Sequence, residues 1–202
     1  TEALAHYQHL EQVSELKRHV LEARIGIMRC SRKLGDGDTV LAYVDPILAD
    51  AETPEDIRLA ARYNRALLLL ERDADQALSD LQWLAEDGPH AEEASHHLAS
   101  IQLNNGDAPG AQAAIFAQLN RFGGGSEWAH RSFFLLADAY LAQGDLFQAR
   151  TTIEQLQANV DVPWVQDSCL DYLDRLTQLE NPPSPPDSIE SGTEITPQSD
   201  NK

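Results

Sequence analysis

Residues Leu136-Ala137-Asp138-Ala139-Tyr140, followed by Gly144-Asp145, Ala149, Ile153 and Leu156, decide how this chain folds. Leu136, Ala137 and Tyr140 lie at helical spacing and share one face; Ala149, Ile153 and Leu156 do the same on a second helix. Between them, Gly144 can enter the left-handed region that ends a helix. Each side chain has a packing reason. Tyr140 and Leu136 wedge between the paired helices, while Ala137 and Ala149 are small enough to let the two backbones close.

The same turn recurs along the chain. Gly35-Asp36, Gly106-Asp107 and Gly144-Asp145 each place their Asp four residues before Val40, Ala111 and Ala149, and Arg72-Asp73-Ala74-Asp75-Gln76-Ala77 is a degenerate copy. The small or branched residue therefore falls at positions 40, 77, 111 and 149, at intervals of 37, 34 and 38 residues. Twelve positions upstream, where close approach needs a small residue, stand Ala99 and Ala137, with Met28 bulkier and Arg65 ill-fitting. This spacing is close to the period of about 34 residues of the tetratricopeptide repeat, and the chain resembles that family. The expected fold is all-α, an α-solenoid of antiparallel helix pairs forming a right-handed superhelix. The pairs are expected at 18–34 with 38–51, 54–71 with 74–87, 90–104 with 109–121, and 127–143 with 146–159. Helices at 2–16 and 162–179 flank them. Thr53 before Pro54 and Ser126 before Glu127 are expected N-caps, and Pro89 is expected to open a helix.

A narrower resemblance lies in Ser126-Glu127-Trp128-Ala129-His130-Arg131-Ser132-Phe133-Phe134, running on to Arg150, in Tyr7 through Leu10, and in Leu21-Glu22-Ala23-Arg24 with Met28-Arg29-Cys30. These segments resemble the C-terminal repeats of large tetratricopeptide proteins of the Bacteroidetes envelope. The resemblance implies a periplasmic or envelope-associated scaffold without enzymatic activity. Gly123-Gly124-Gly125 departs from the family's usual loop and reads as a flexible connector.

From Asn181 the composition changes. Residues 181–202 hold five of the ten prolines among Ser, Thr, Asp and Glu, so the repeat domain is expected over 1–180 and a disordered acidic tail over 181–202. The chain starts at Thr1 without Met or a leader, and the parent protein is expected to be longer at its N-terminus.

Thirty-three Asp and Glu against fifteen Lys and Arg give a net charge of −18, which disfavours nucleic acid and anionic membrane surfaces as partners and leaves a basic protein partner open. No apolar run reaches the roughly 20 residues of a spanning helix. Cys30 and Cys169 read as buried structural thiols. His6 with His9, and His96 with His97, lack a third ligand at metal spacing, so no metal or other cofactor is expected. No GxSxG occurs and neither cysteine has a histidine beside it, so no enzyme is expected. Trp83, Trp128 and Trp164 are expected as core wedges.

What remains is the surface that stacked helix pairs create, with the first helix of each pair lining the concave side. Counting from the small residues, the groove candidates are Glu22, Arg29, Arg32, Glu93, His96, Arg131, Phe134 and Asp138. Arg29 and Arg32 form a basic spot that either holds a partner's carboxylate or pairs within its own helix. The leading expectation is a protein-interaction scaffold that binds a protein or peptide in this groove. The alternative is a set of structural repeats that cap a longer solenoid and bind nothing.

Overall fold

A computed structural model describes residues 2–181, and the tail expected beyond them lies outside the described residues. Ten α-helices follow one another among these residues: α1 (Glu2–Val13), α2 (Lys17–Leu34), α3 (Gly37–Ala49), α4 (Glu55–Arg72), α5 (Leu78–Glu86), α6 (Ala91–Asn104), α7 (Ala108–Phe122), α8 (Glu127–Ala142), α9 (Leu146–Asn159) and α10 (Pro163–Glu180). Each packs mainly on its neighbours in sequence, and α6 also touches α8, which is how stacked helix pairs contact one another. No helix among the described residues is long and apolar enough to cross a membrane.

The repeated turn has the anticipated chemistry. Gly35, Gly106 and Gly144 adopt φ of 74°, 85° and 79°, and the aspartate after each caps the next helix by accepting from Thr39, Gly110 and Gln148 main-chain N–H groups at 2.9–3.1 Å. Val40, Ala77, Ala111 and Ala149, the four register residues, are buried. Ala99, Ala137 and Met28 upstream are buried too.

The second pair departs from this pattern. Asp73 is extended, with φ −158°, and a 3₁₀ turn over Ala74–Ala77 precedes α5, where one α-helix over 74–87 was expected. The turn is shorter than a Gly-Asp turn, so the small residue in the same core cluster as Ala77 is Ala66, one position after Arg65. Arg65 instead turns to the fully buried Asp80.

Two of the expected helix starts change. Thr53 does not cap α4; its buried hydroxyl donates to the Ile47 carbonyl at 2.6 Å, closing the end of α3. Arg58 holds the same loop by donating to the Leu48, Asp50 and Thr53 carbonyls. Pro89 sits in the turn before α6 rather than in its first turn. Ser126 caps α8 as expected, accepting from the Ala129 N–H at 2.9 Å. Both cysteines are free thiols, Cys169 buried and Cys30 only half-buried.

Candidate functional site on the inner face

Side chains of α4, α6, α8 and α10 meet in sequence along one face. Between α4 and α6, Tyr63 stacks on His90 with centroids 3.7 Å apart, and its hydroxyl donates to the Glu93 carboxylate at 3.1 Å. Glu93 also faces His90 Nδ1 at 3.5 Å and His97 Nε2 at 3.9 Å. Between α6 and α8, the rings of His96 and His97 each lie 5.3 Å from Trp128. The Arg131 guanidinium lies 5.4 Å from the Trp128 ring and 5.3 Å from that of Trp164 on α10, a double cation–π contact. Between α8 and α10, Phe134 packs on Trp164 and Tyr172, Tyr172 donates to Asp138 at 2.7 Å, and Arg175 donates to the same oxygen at 3.0 Å.

A buried polar chain fixes the middle of this strip. Ser132 donates to Gln118 Oε1 at 2.8 Å, and its oxygen lies 2.8 Å from His96 Nδ1. Burial, helped by His97 and Arg131, pushes His96 down to about 4, and burial also lowers His97. Burial raises Tyr63, with Glu93 adding to the effect, and raises Tyr172, with Asp138 adding. The strip is therefore a row of aromatic rings whose charged groups are paired locally, Asp138 with Arg175 and the central Arg131 with Glu127 at 2.7 Å.

The eight sequence candidates divide into three groups. Arg131, Phe134 and His96 lie on the strip. Glu93 and Asp138 lie there but are engaged by their own neighbours, which leaves them poor receptors for a basic partner. Glu22, Arg29 and Arg32 stand at the N-terminal end. Glu22 pairs with Arg18 at 3.3 Å, while Arg29 and Arg32 border a pocket with Asp56, Tyr63, Asn64 and His90.

Ten of the twelve arginines bond to a carboxylate or a main-chain carbonyl among the described residues. Arg29 has no such bond, and Arg32 reaches only the Asn64 side chain at 3.4 Å. The pairing within α2 that would neutralise them is absent among the described residues. Two adjacent unpaired cations stand out in a chain of net charge −18.

The sequence reading missed Tyr63, His90, His97, Tyr172 and Arg175. Tyr63 was within reach, because the offset that selects His96 from Ala99 selects Tyr63 from Ala66, whereas counting from Arg65 selects Arg62. The expectation that the tryptophans are core wedges holds in part: all three are half-buried, Trp83 and Trp164 pack against core clusters, and Trp128 and Trp164 also face the strip. Trp83 lies instead under Arg62, 4.9 Å from its guanidinium. Among the described residues, no three His, Cys, Asp or Glu side chains converge as metal ligands would.

No family model matches the sequence, and no curated protein matches it. Among solved structures, the chain is similar to TPR-like repeats, nearly identical to one another, in a Podosopora anserina protein described as a kinesin light chain. The match has a TM-score of 0.58 at 18% identity and covers 79% of this chain and 86% of that one. At that identity the likeness shows the fold, and the chain has the TPR-like repeat fold.

Proposed function

We propose that the chain is a non-catalytic interaction scaffold whose inner face binds a protein or peptide. The observation that carries this reading is the half-exposed strip centred on Arg131 between Trp128 and Trp164. Tryptophan, tyrosine and arginine dominate interaction hot spots, the two aromatics because they bury much area at small side-chain entropy cost. Here they are already held in place by one another, Arg131 also by Glu127 and Tyr172 by Asp138, so little further ordering is needed when a partner arrives.

Charge at the end of the strip narrows the partner. The net −18 left a basic partner open, but the acids of the strip are engaged, and at its end the unpaired Arg29 and Arg32 outnumber Asp56 in the pocket they border. This pattern supports a segment that sets an acidic residue against Arg29 and Arg32 and an apolar or aromatic one against Trp128. The envelope location belongs to the same proposal and rests on the sequence resemblance alone; fractionation of cells making the native protein tests it.

The central experiment is crosslinking capture from native cells with the full chain and with a Trp128→Ala, Arg131→Ala variant. The scaffold reading expects at least about tenfold weaker capture by the variant, the loss of one hot spot. Undiminished capture by a variant with unchanged helical circular dichroism would sink it and leave the structural-repeat alternative. Arg29→Ala with Arg32→Ala should weaken the same partners without lowering the melting temperature.

A further inference from the structure

On the side of α8 away from Arg131, the second helices α7 and α9 leave between them a cleft of about 700 Å³, within the range of ligand pockets. His130, Phe133 and Tyr140 of α8 line it, and Phe116 of α7, 44% exposed, stands at its rim. His130 and Tyr140 are ten residues apart on one helix, so the cleft runs about 15 Å along α8. Gly124 and Gly125 belong to its lip, and neither has a positive φ. A Cβ at Gly124 would lie 3.7 Å from the Phe133 ring, so the bare loop leaves that ring uncovered.

His130 is the polar group that its own chain leaves unanswered. It is 6% exposed, yet neither ring nitrogen has a hydrogen-bond partner among the described residues, and neither is sealed off from solvent. The ring is left to be met from the cleft that it lines. A neutral imidazole needs one acceptor and one donor, and leaving both unmade in a buried place is costly. The α9 wall repeats this demand. Gln148 and Gln155 line the cleft with side-chain amides that have no partner among the described residues, each offering donors and an acceptor. The Tyr140 hydroxyl is unbonded as well. A ligand hydroxyl, which donates and accepts at once, answers every one of these groups.

Charge narrows the ligand further. No lysine or arginine lines the cleft, and Asp161 is the sole carboxylate that does, on a molecule of net charge −18. The lining therefore has no cation for a phosphate, a sulfate or a carboxylate, and the surrounding field repels all three. What fits is neutral, bears several hydroxyls, has an apolar face for the phenyl rings and is longer than a single sugar ring. A neutral oligosaccharide meets each condition: C–H groups cover the faces of its rings, and hydroxyls radiate from their edges. A peptide fits less well, because helical walls have spent the main-chain groups that would pair with its own.

We propose that the α7–α9 cleft binds a neutral oligosaccharide, with Phe116 and Phe133 against its apolar faces and His130, Tyr140, Gln148 and Gln155 bonding its hydroxyls. This site is independent of the inner-face reading, because it uses the opposite side of α8 and none of the groove residues.

The test applies the full chain to an array of neutral and acidic glycans, then titrates the best neutral glycan into isotope-labelled protein. The expected result is retention by neutral glycans and not by sulfated or uronic-acid ones, with saturable shifts of the Gln148 and Gln155 side-chain amide signals. Gly124→Leu places a side chain over Phe133 without backbone strain and should weaken binding at least about tenfold, as should Gln148→Ala with Gln155→Ala at two exposed positions. Trp128→Ala with Arg131→Ala, on the inner face, should leave glycan binding unchanged. Preference for acidic glycans, absence of any neutral binder, or undiminished binding by cleft variants with wild-type helical circular dichroism each overturns the proposal. So does tighter binding at the same amides by an uncharged serine-glycine hexapeptide, which would make the cleft a peptide site.

Discussion

Arg65 of α4 meets both oxygens of Asp80 on α5, and Asp80 is fully buried, with Arg62 completing the cluster at 2.9 Å. The pair ties α4 to α5, with Arg65 one position before the small residue Ala66 and Asp80 three after Ala77, in the helix pair whose turn lacks a glycine. A buried carboxylate survives there because two guanidinia supply the hydrogen bonds that water would have made. Asp80→Ala should therefore lower stability by about 3 kcal/mol, since it leaves Arg65 half-buried without its main partner. Arg65→Met combined with Asp80→Leu should cost clearly less than the two single changes added together. Urea denaturation decides it; a loss under about 0.5 kcal/mol for Asp80→Ala would place the pair with ordinary surface contacts.

That cluster also marks how far the sequence could be read. Helix number, order and most boundaries were legible because Gly35, Gly106 and Gly144 must take positive φ, and because the aspartate after each has only one useful thing to do. The second pair was not legible in register: Asp73 makes its turn without a glycine, the turn is shorter, and the frame slips from Arg65 to Ala66. The inner-face strip was half legible. Offsets found Arg131 and Phe134, but the partners of Glu93 and Asp138 come from the next helix pair, some 30 residues away, and spacing within one helix does not see them. Trp128 was misread for a related reason: half-buried tryptophans and core tryptophans obey the same helical period.

The repeated turn gives a direct test of register. Asp145→Ala removes the acceptor for the Gln148 N–H, and Asp107→Ala that for Gly110, so each should cost about 1 kcal/mol. Gly144→Ala should cost a similar amount through its φ of 79°. The same Gly→Ala change at Gly125, where φ is not positive and nothing lies within 4 Å of the added Cβ, should be neutral or slightly stabilising. Equal losses at Gly125 and Gly144 in thermal unfolding would mean that backbone conformation is not what these turns depend on.

Gly26 separates local from global stability. A Cβ at this position in α2 would lie 2.5 Å from the Tyr7 ring of α1, so Gly26→Ala must push α1 outward. Helix α1 has no buried residue; it packs along α2, with Tyr7 over Gly26, and Glu11 accepts from Arg24 at 2.9 Å and from Tyr43 at 2.7 Å. Alanine in a helix interior gains up to about 1 kcal/mol over glycine. The expected result is faster amide exchange across residues 2–13, with the global unfolding free energy unchanged or slightly raised. Unaltered exchange in α1 would show that Tyr7 can move aside alone.

His96 makes stability depend on pH in a direction that can be worked out beforehand. Burial, then His97 and Arg131, lower its folded-state pKa from 6.5 to about 4, so as pH falls the unfolded chain takes up this proton first. The neutral ring's contribution is therefore complete above pH 6.5, declines as the solution is acidified, and stops changing below about pH 4. Integrated to pH 5, the loss is on the order of 2 kcal/mol, less to the extent that water still reaches the ring. Carboxylates titrate in the lower part of the same window, so the quantity to measure is the difference between wild type and His96→Gln, in which their effect cancels. Glutamine keeps a donor for Ser132 but does not ionise. The variant should be the less stable protein at pH 7.5, through lost contact with Trp128, and should close that gap or overtake the wild type by pH 5. A gap that stays constant between those pH values would mean that His96 keeps an ordinary pKa, and that burial beside His97 and Arg131 does not hold the ring neutral.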